Sequence, residues 1–279
     1  MRVPPAFRAV LLLGAALTGS GAAAGGVVTL APHLAELVCA AGACDQLVGV
    51  GRYSDYPPEI VGRTQVGDAF AVNLEAVLAL QPDLVLAWDG GMPPATIERL
   101  RSLGLNVESL RVRRIEDIGL ALLRIGGLLG TEDAACAAEA EFRRRIQALR
   151  EAYRDAEPIR VLYQLGREPV YTIGAQSPIS EAIELCSGIN VFADLGRIAG
   201  AVGREAVIAA DPDAIVFGSQ DDAAGIRASW AAHPRLRAVA RQNLYAINAD
   251  VLARATPRMA QGIEQLCQAL DQARARLNP

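Results

Sequence analysis

The stretch Asn73 to Trp88 reads NLEAVLALQPDLVLAW, and Gly203 to Ser219 reads GREAVIAADPDAIVFGS. Each copy sets apolar residues at helical spacing (Leu74, Val77, Leu78; Val207, Ile208), breaks at Pro-Asp, and continues in an uninterrupted apolar run. The spacing predicts a helix whose apolar residues face a core, then a turn, then a strand buried on both faces. One helix–turn–strand unit is therefore used twice, and two equivalent lobes follow. A glutamate, Glu75 or Glu205, stands in the first turn of each helix, where free N–H groups and the helix dipole favour a carboxylate. Local helix chemistry accounts for either residue; a matched pair of docking charges accounts for both.

Working outward, the segments from Val27 onward alternate short apolar strands (VVTL, LVGVG, NVESL) with helical stretches (LAELVCAAG, ATIERLRSLG, IEDIGLALLRIGGLLG). The second half repeats the alternation with IRVLYQL, VYTIG, INVF and LYAINAD, and a last helix runs from Thr256. This is the pattern of helix-covered parallel sheets, an α/β fold with two Rossmann-like lobes. Between them, Thr131 to Ala156 reads as one helix with Thr131 as N-cap, a stripe of Ala138, Phe142, Ile146, Leu149 and Tyr153, and a stop before Pro158. At 1.5 Å per residue it spans roughly 37 Å, long enough to join the lobes stiffly. The expected boundaries are 25–130 for the N-terminal lobe, 131–157 for the connecting helix and 158–279 for the C-terminal lobe.

Residues 1–24 read as a secretory signal, with Arg2 and Arg8, an apolar core from Ala9 to Leu17, and Ala22 and Ala24 placed for cleavage. No cysteine follows the apolar run directly, so a freely diffusing periplasmic protein is expected in place of a lipid-anchored one. The net charge is −4 and every basic residue is arginine, with no basic block beside aromatic residues, which argues against nucleic acid as a partner. Two histidines, His33 and His233, leave little material for a multi-histidine metal site or a histidine-based triad, and no G-x-S-x-G, H-E-x-x-H, Walker A or G-x-G-x-x-G motif occurs. His233, before Pro234, reads as a helix-ending residue. Enzyme signals are absent from these motifs.

Five cysteines suit an oxidising compartment. A bridge from Cys186, at a helix end, to Cys267, in the last helix, would staple that helix to its lobe. Cys39 and Cys44 flank a Gly-containing turn and read equally as a bridge or as two half-buried thiols. Cys136, among alanines, reads as a buried free thiol.

Ligands in open α/β sheets bind beyond the carboxyl ends of strands. The loops there are Ala31–Leu34, Tyr53–Pro58, Trp88–Pro94, Gly166–Tyr171 and Asn248–Arg254. YSDYPP, Tyr53 to Pro58, offers two rings on a proline-stiffened loop, suited to a large flat ligand; the alternative is a turn whose tyrosines cap a core edge. Trp88, followed by Asp89-Gly90-Gly91, offers a second aromatic edge.

Together LAPHLAEL, YSDYPP, NLEAVLALQPDLVLAW, YQLGREPVYTIG, IELCSGINVF, GREAVIA and ARATPR resemble the periplasmic cobalamin-binding proteins of ABC importers, over nearly the whole mature chain. The resemblance implies two lobes joined by a single helix (the class III periplasmic binding fold), modest closure on binding, and a Cys186–Cys267 disulfide. It implies a ligand-binding set of Pro32, His33, Tyr53, Asp55, Tyr56, Phe70, Trp88, Tyr171, Asp250 and Arg254. Cobalamin or a related corrinoid is then the transported ligand, with no cofactor of the protein's own. The partners implied are an ABC permease dimer with its ATPase, held by Glu75 and Glu205, and the protein itself is expected as a monomer. Where the family has tryptophans before the two glutamate segments, this chain has Ala69-Phe70 and Ala199-Gly200; its Asp-Trp-Phe-Glu-Arg segment is here Asp250 to Arg254, DVLAR. Losing several large apolar contacts, each contributing ~1.5–3 kcal/mol, would weaken cobalamin binding or fit the cleft to another ligand. His33 is then a candidate axial ligand for a corrinoid cobalt or a haem iron, against a solvent-facing histidine at a helix start. A haem or ferric-siderophore binder is the alternative within the superfamily, and a periplasmic enzyme or sensor reusing the fold is the rival from another class.

Overall fold

The fold is seen in a computed structural model that describes residues 26–219 and 222–277. The signal segment 1–24 lies outside the described residues. The N-terminal lobe runs β1 (Val27–Thr29), α1 (Pro32–Ala40), β2 (Leu47–Val50), β3 (Thr64–Gln65), α2 (Leu74–Ala79), β4 (Leu84–Trp88), α3 (Pro94–Ser102), β5 (Val107–Leu110) and α4 (Ile115–Leu129). Its strands are all parallel, in the order β3-β2-β1-β4-β5. A long helix, α5 (Glu132–Tyr153), leads to the second lobe: β6 (Ile159–Gln164), β7 (Val170–Ile173), α6 (Pro178–Leu185), β8 (Gly188–Asn190), β9 (Ala199–Val202), α7 (Arg204–Ala210), β10 (Ala214–Gly218), α8 (Ala223–Ala231), α9 (Arg237–Ala240), β11 (Leu244–Ile247), α10 (Ala249–Leu252) and α11 (Met259–Leu277). There β11-β10-β6-β8 form a parallel sheet.

Strand alternation sorts the side chains into layers. On β4, Leu84 and Leu86 join the apolar cluster toward α1, α4 and α5, whereas Val85 and Ala87 join the cluster under α2 and α3. On β10, Ala214 and Val216 face inward, while Ile215 and Phe217 pack with Trp230 on the outer side. Strands apolar on both faces are what helix-covered parallel sheets require. The inner cluster is continuous across the lobes, from Leu34 and Leu37 on α1 through Ile118 on α4 and Phe142 and Ile146 on α5 to Ile183 on α6 and Leu266 on α11. Close packing of α4 on α5 depends on Gly126, where an added Cβ would come within 2.4 Å of the Ala135 Cβ. A C-terminal-lobe carboxylate also caps an N-terminal-lobe helix, since the Ile115 N–H at the start of α4 donates to Glu181 Oε2 at 2.7 Å. These shared layers make the lobe connection stiff.

The repeat is borne out: α2–β4 and α7–β10 are matching helix–strand units, with Val77 and Val207 fully buried. Leu78 and Ile208, read as core-facing, are instead 38% and 41% exposed. Short helices lying over a sheet bury a single row of residues, and that row is taken by the valines. VYTIG, read as one more strand of the parallel sheet, forms β7, which pairs antiparallel with β9. Five residues separate β6 from β7, too few for the dozen or more that a parallel crossover needs. The connecting helix ends at Tyr153, short of Ala156, and the last helix starts at Met259, beyond Thr256. Thr131 occupies the N-cap position of α5, but its hydroxyl makes no capping bond and is buried without a partner.

Both cysteine bridges are present, Cys186–Cys267 and Cys39–Cys44. Cys136 is free as expected, but exposed. One helical step of about 100° separates it from Ala135, which takes the buried position. His233 follows α8 in a turn, its N–H donating to Trp230 O at 2.8 Å.

Candidate functional site

The N-terminal-lobe order reverses direction between β1 and β4, and the carboxyl ends of those two strands open on a cleft between the lobes, as the topological rule for open α/β sheets requires. From β1 the chain turns at Ala31 into α1, whose first residues are Pro32 and His33; proline suits this position because its missing N–H has no helical partner there. From β4 comes Trp88. The rings of His33 and Trp88 meet edge to face, 5.0 Å between centroids at 77°. Asp89, Val112 and Arg113 continue this wall; the opposite one is Ser177, Pro178 and Ile179 at the start of α6, with Ile198, Leu252, Arg254 and Met259. The space enclosed is about 390 Å³, within the range of small-molecule sites.

His33 is 8% exposed, which corrects the reading of a solvent-facing side chain: Trp88 covers it. Burial, reinforced by the nearby positive charge of Arg254, lowers its pKa from 6.5 to about 4. At neutral pH the imidazole is therefore uncharged, the state in which a ring nitrogen can donate an electron pair to a metal.

Beneath the cleft lies an ionic cluster that ties the lobes together. Arg254, just after α10, places Nη1 3.0 Å from Glu36 Oε1 and 2.5 Å from Asp55 Oδ1, and Nη2 2.9 Å from Asp250 Oδ1. Arg258 takes Glu36 in a two-pronged pair, Nε to Oε2 at 2.9 Å and Nη2 to Oε1 at 2.7 Å, and its guanidinium stacks 3.7 Å above the Tyr56 ring. The Arg254 hydrogen bond holds the Asp55 carboxyl below the ordinary aspartate range, against a smaller opposing effect of burial. Tyr53 adds its carbonyl, 3.5 Å from Arg254 Nη2, in the left-handed backbone region at φ 68°. A tyrosine held there at a cost of the order of 1–3 kcal/mol is a feature of sites whose surroundings over-determine the backbone.

Pro32, His33, Trp88 and Arg254 thus line the cleft directly, while Asp55, Asp250, Tyr53 and Tyr56 gather around the two arginines. Tyr53 and Tyr56 are 67% and 40% exposed, which overturns their reading as caps on a core edge. Phe70, 77% exposed on a turn closed by Asp68, and Tyr171, 46% exposed on β7, stand outside the cavity walls. Among the described residues these four are the exposed aromatic side chains.

The sequence reading missed Glu36, Arg258 and Arg113. Glu36 is 3% exposed among Leu34, Ala35, Leu37 and Val38. Its signal was available: a carboxylate inside an uninterrupted apolar helix needs a cationic partner, and ARATPR supplies two arginines one helical turn apart. Glu75 and Glu205 are not among the residues lining the cleft; they stand exposed in the first turns of α2 and α7.

Residues 27–251 match the periplasmic binding protein family. The vitamin B12-binding protein of Vibrio cholerae is 35% identical over 241 residues, covering 86% of this chain and 87% of that one. The crystal structure of the periplasmic vitamin B12-binding protein of Vibrio cholerae superposes with a TM-score of 0.83 at 34% identity, covering 90% of this chain and 98% of the other. A periplasmic haem-binding protein in complex with two haems gives 0.80 at 26% identity, covering 89% and 98%. With most of its length matched and relatives at this identity, the chain belongs to the periplasmic binding protein family.

Proposed function

We propose that this protein is the periplasmic substrate-binding component of an ABC importer, non-enzymatic and monomeric, which captures cobalamin or a related corrinoid and delivers it to the permease. The observation that carries the reading is the cleft itself: a neutral His33 against Trp88, at the switch point of a chain 35% identical to a vitamin B12-binding protein over most of both lengths. Delivery from the periplasm fits the signal-like segment 1–24 and the paired cysteines. The lobes 25–130 and 158–279, carried by the connecting segment 131–157, are the units that would close on the ligand.

In this reading Pro32, His33, Trp88 and Arg254 form the floor, and the exposed rings of Tyr53, Tyr56, Phe70 and Tyr171 a rim around a planar macrocycle wider than the cavity. Phe70 stands in for a lost tryptophan, and the DVLAR segment keeps the terminal acid and arginine while shedding two rings. A neutral His33 is the residue for direct coordination of the cargo's cobalt. Haem remains the second reading, favoured by the same imidazole and by the structural likeness to a haem-binding protein.

The permease-docking role rests on the repeat. Glu75 with Leu78 and Glu205 with Ile208 place a carboxylate and an exposed aliphatic side chain three residues apart on matching helices. A two-fold partner carrying one arginine-bearing pocket per half would hold both.

The test uses the two tryptophans. Trp88 borders the cleft and Trp230 is fully buried, its indole N–H donating to Gln164 at 2.8 Å. Cyanocobalamin should quench fluorescence in the wild type, and Trp88→Phe should remove the larger part of that quench. No quench by any corrinoid, with clear quenching by haemin, transfers the assignment to haem.

A further inference from the structure

The charged groups lining the cleft are not all paired. Asp89 is taken by Arg111 in a two-pronged pair, Nε to Oδ2 at 2.9 Å and Nη2 to Oδ1 at 3.0 Å. Arg254 is held by Glu36, Asp55 and Asp250. His33 is uncharged at neutral pH. That leaves Arg113, in the short connection between β5 and α4, half-buried in the cleft wall. Among the described residues no carboxylate pairs with its side chain, and its Nε is buried without an acceptor. The carboxylates nearby are occupied: Asp117 accepts the backbone N–H groups of Arg113 and Arg114 at 2.8 and 2.9 Å, and Glu181 accepts the Ile115 N–H. A buried donor without a partner calls for one, and at a cleft wall a bound ligand is placed to supply it. A guanidinium is also the side chain whose planar fork matches the oxygens of a phosphate diester.

We infer that Arg113 is a specificity-determining residue of the cleft, which binds the phosphodiester of cobalamin's nucleotide tail and so favours complete cobalamins over tail-less corrinoids. This rests on the corrinoid reading above. It adds a source of affinity that is polar and local, in a cleft whose rim has lost aromatic rings.

The experiment titrates wild type, Arg113→Ala and Arg113→Lys with cyanocobalamin and with dicyanocobinamide, which lacks the phosphodiester, by calorimetry. Thermal melts confirm that each variant is folded; among the described residues Arg113 makes no side-chain ion pair whose loss would unfold the protein. The expected result is a loss of roughly ten- to hundredfold in cyanocobalamin affinity for Arg113→Ala, the size of one charged hydrogen-bonded contact, with cobinamide affinity unchanged and partial recovery in Arg113→Lys. Equal losses for both ligands, or no loss for cyanocobalamin, overturn the inference and leave the corrinoid reading standing. Wild-type protein that binds neither corrinoid overturns the corrinoid reading, and this inference with it.

Discussion

Glu36 is the most buried carboxylate of the ionic cluster between the lobes. Its carboxylate is 3% exposed and accepts three hydrogen bonds from two guanidiniums, at 2.7, 2.9 and 3.0 Å. Glu36→Gln keeps the volume but removes the charge and turns an amide NH2 toward the arginines. Removing one partner of a buried pair costs about 3–5 kcal/mol. Arg254 and Arg258 are 16% and 23% exposed, and Arg254 keeps Asp55 and Asp250, so the lower end applies, about 3 kcal/mol. In a chain of this size that is a fall of about 6–12 °C in Tm. Urea unfolding followed by circular dichroism measures it directly, and Asp250→Asn serves as the control: an acid 40% exposed, paired with the same arginine, should cost less than about 1 kcal/mol. A loss below about 0.5 kcal/mol for Glu36→Gln would refute the reasoning, because the arginines would then be fully satisfied without it.

Other outcomes follow from the same geometry. His33 has its pKa lowered from 6.5 to about 4, so the fold favours the neutral ring; at about 1.4 kcal/mol per tenfold change in proton affinity it contributes about 3 kcal/mol, present above pH 6.5 and lost as pH falls toward 4. Denaturation at pH 7 and pH 4.5 should show that loss in wild type and less of it in His33→Gln. If His33 coordinates cobalt, aquocobalamin should show a shifted absorption band on binding, absent in a folded His33→Ala; identical spectra would remove the axial role. Glu75→Arg with Glu205→Arg should leave corrinoid affinity unchanged and abolish uptake in cells, since like charges across an interface cost several kcal/mol; normal uptake would return both residues to ordinary helix starts. Cys186→Ser with Cys267→Ser should lower stability by on the order of 4 kcal/mol for an 81-residue separation, read by urea unfolding.

The fold was legible in the sequence because its signals are local and used twice. NLEAVLALQPDLVLAW and GREAVIAADPDAIVFGS announce helix, turn and doubly buried strand by composition alone, and the long stripe through Phe142 and Ile146 announces the connecting helix. The reading failed where partners are distant in sequence. β7 reads as any other apolar strand, and the shortness of its connection to β6 is what sends it into an antiparallel pair. Cys136 and Ala135 differ by one helical step, too little for an alanine-rich stripe to decide which is buried. The cleft divided along the same line. Its aromatic residues and Arg254 come from recognisable loops, whereas Glu36 meets its arginines more than two hundred residues away in sequence. Arg113 is legible only once the neighbouring charges have been matched to one another.

The most direct test is a calorimetric titration of the mature protein with cyanocobalamin and, separately, with haemin, at neutral pH. One cyanocobalamin per chain, bound more tightly than haemin, is the predicted result. Haemin bound alone, or more tightly than any corrinoid, would contradict it.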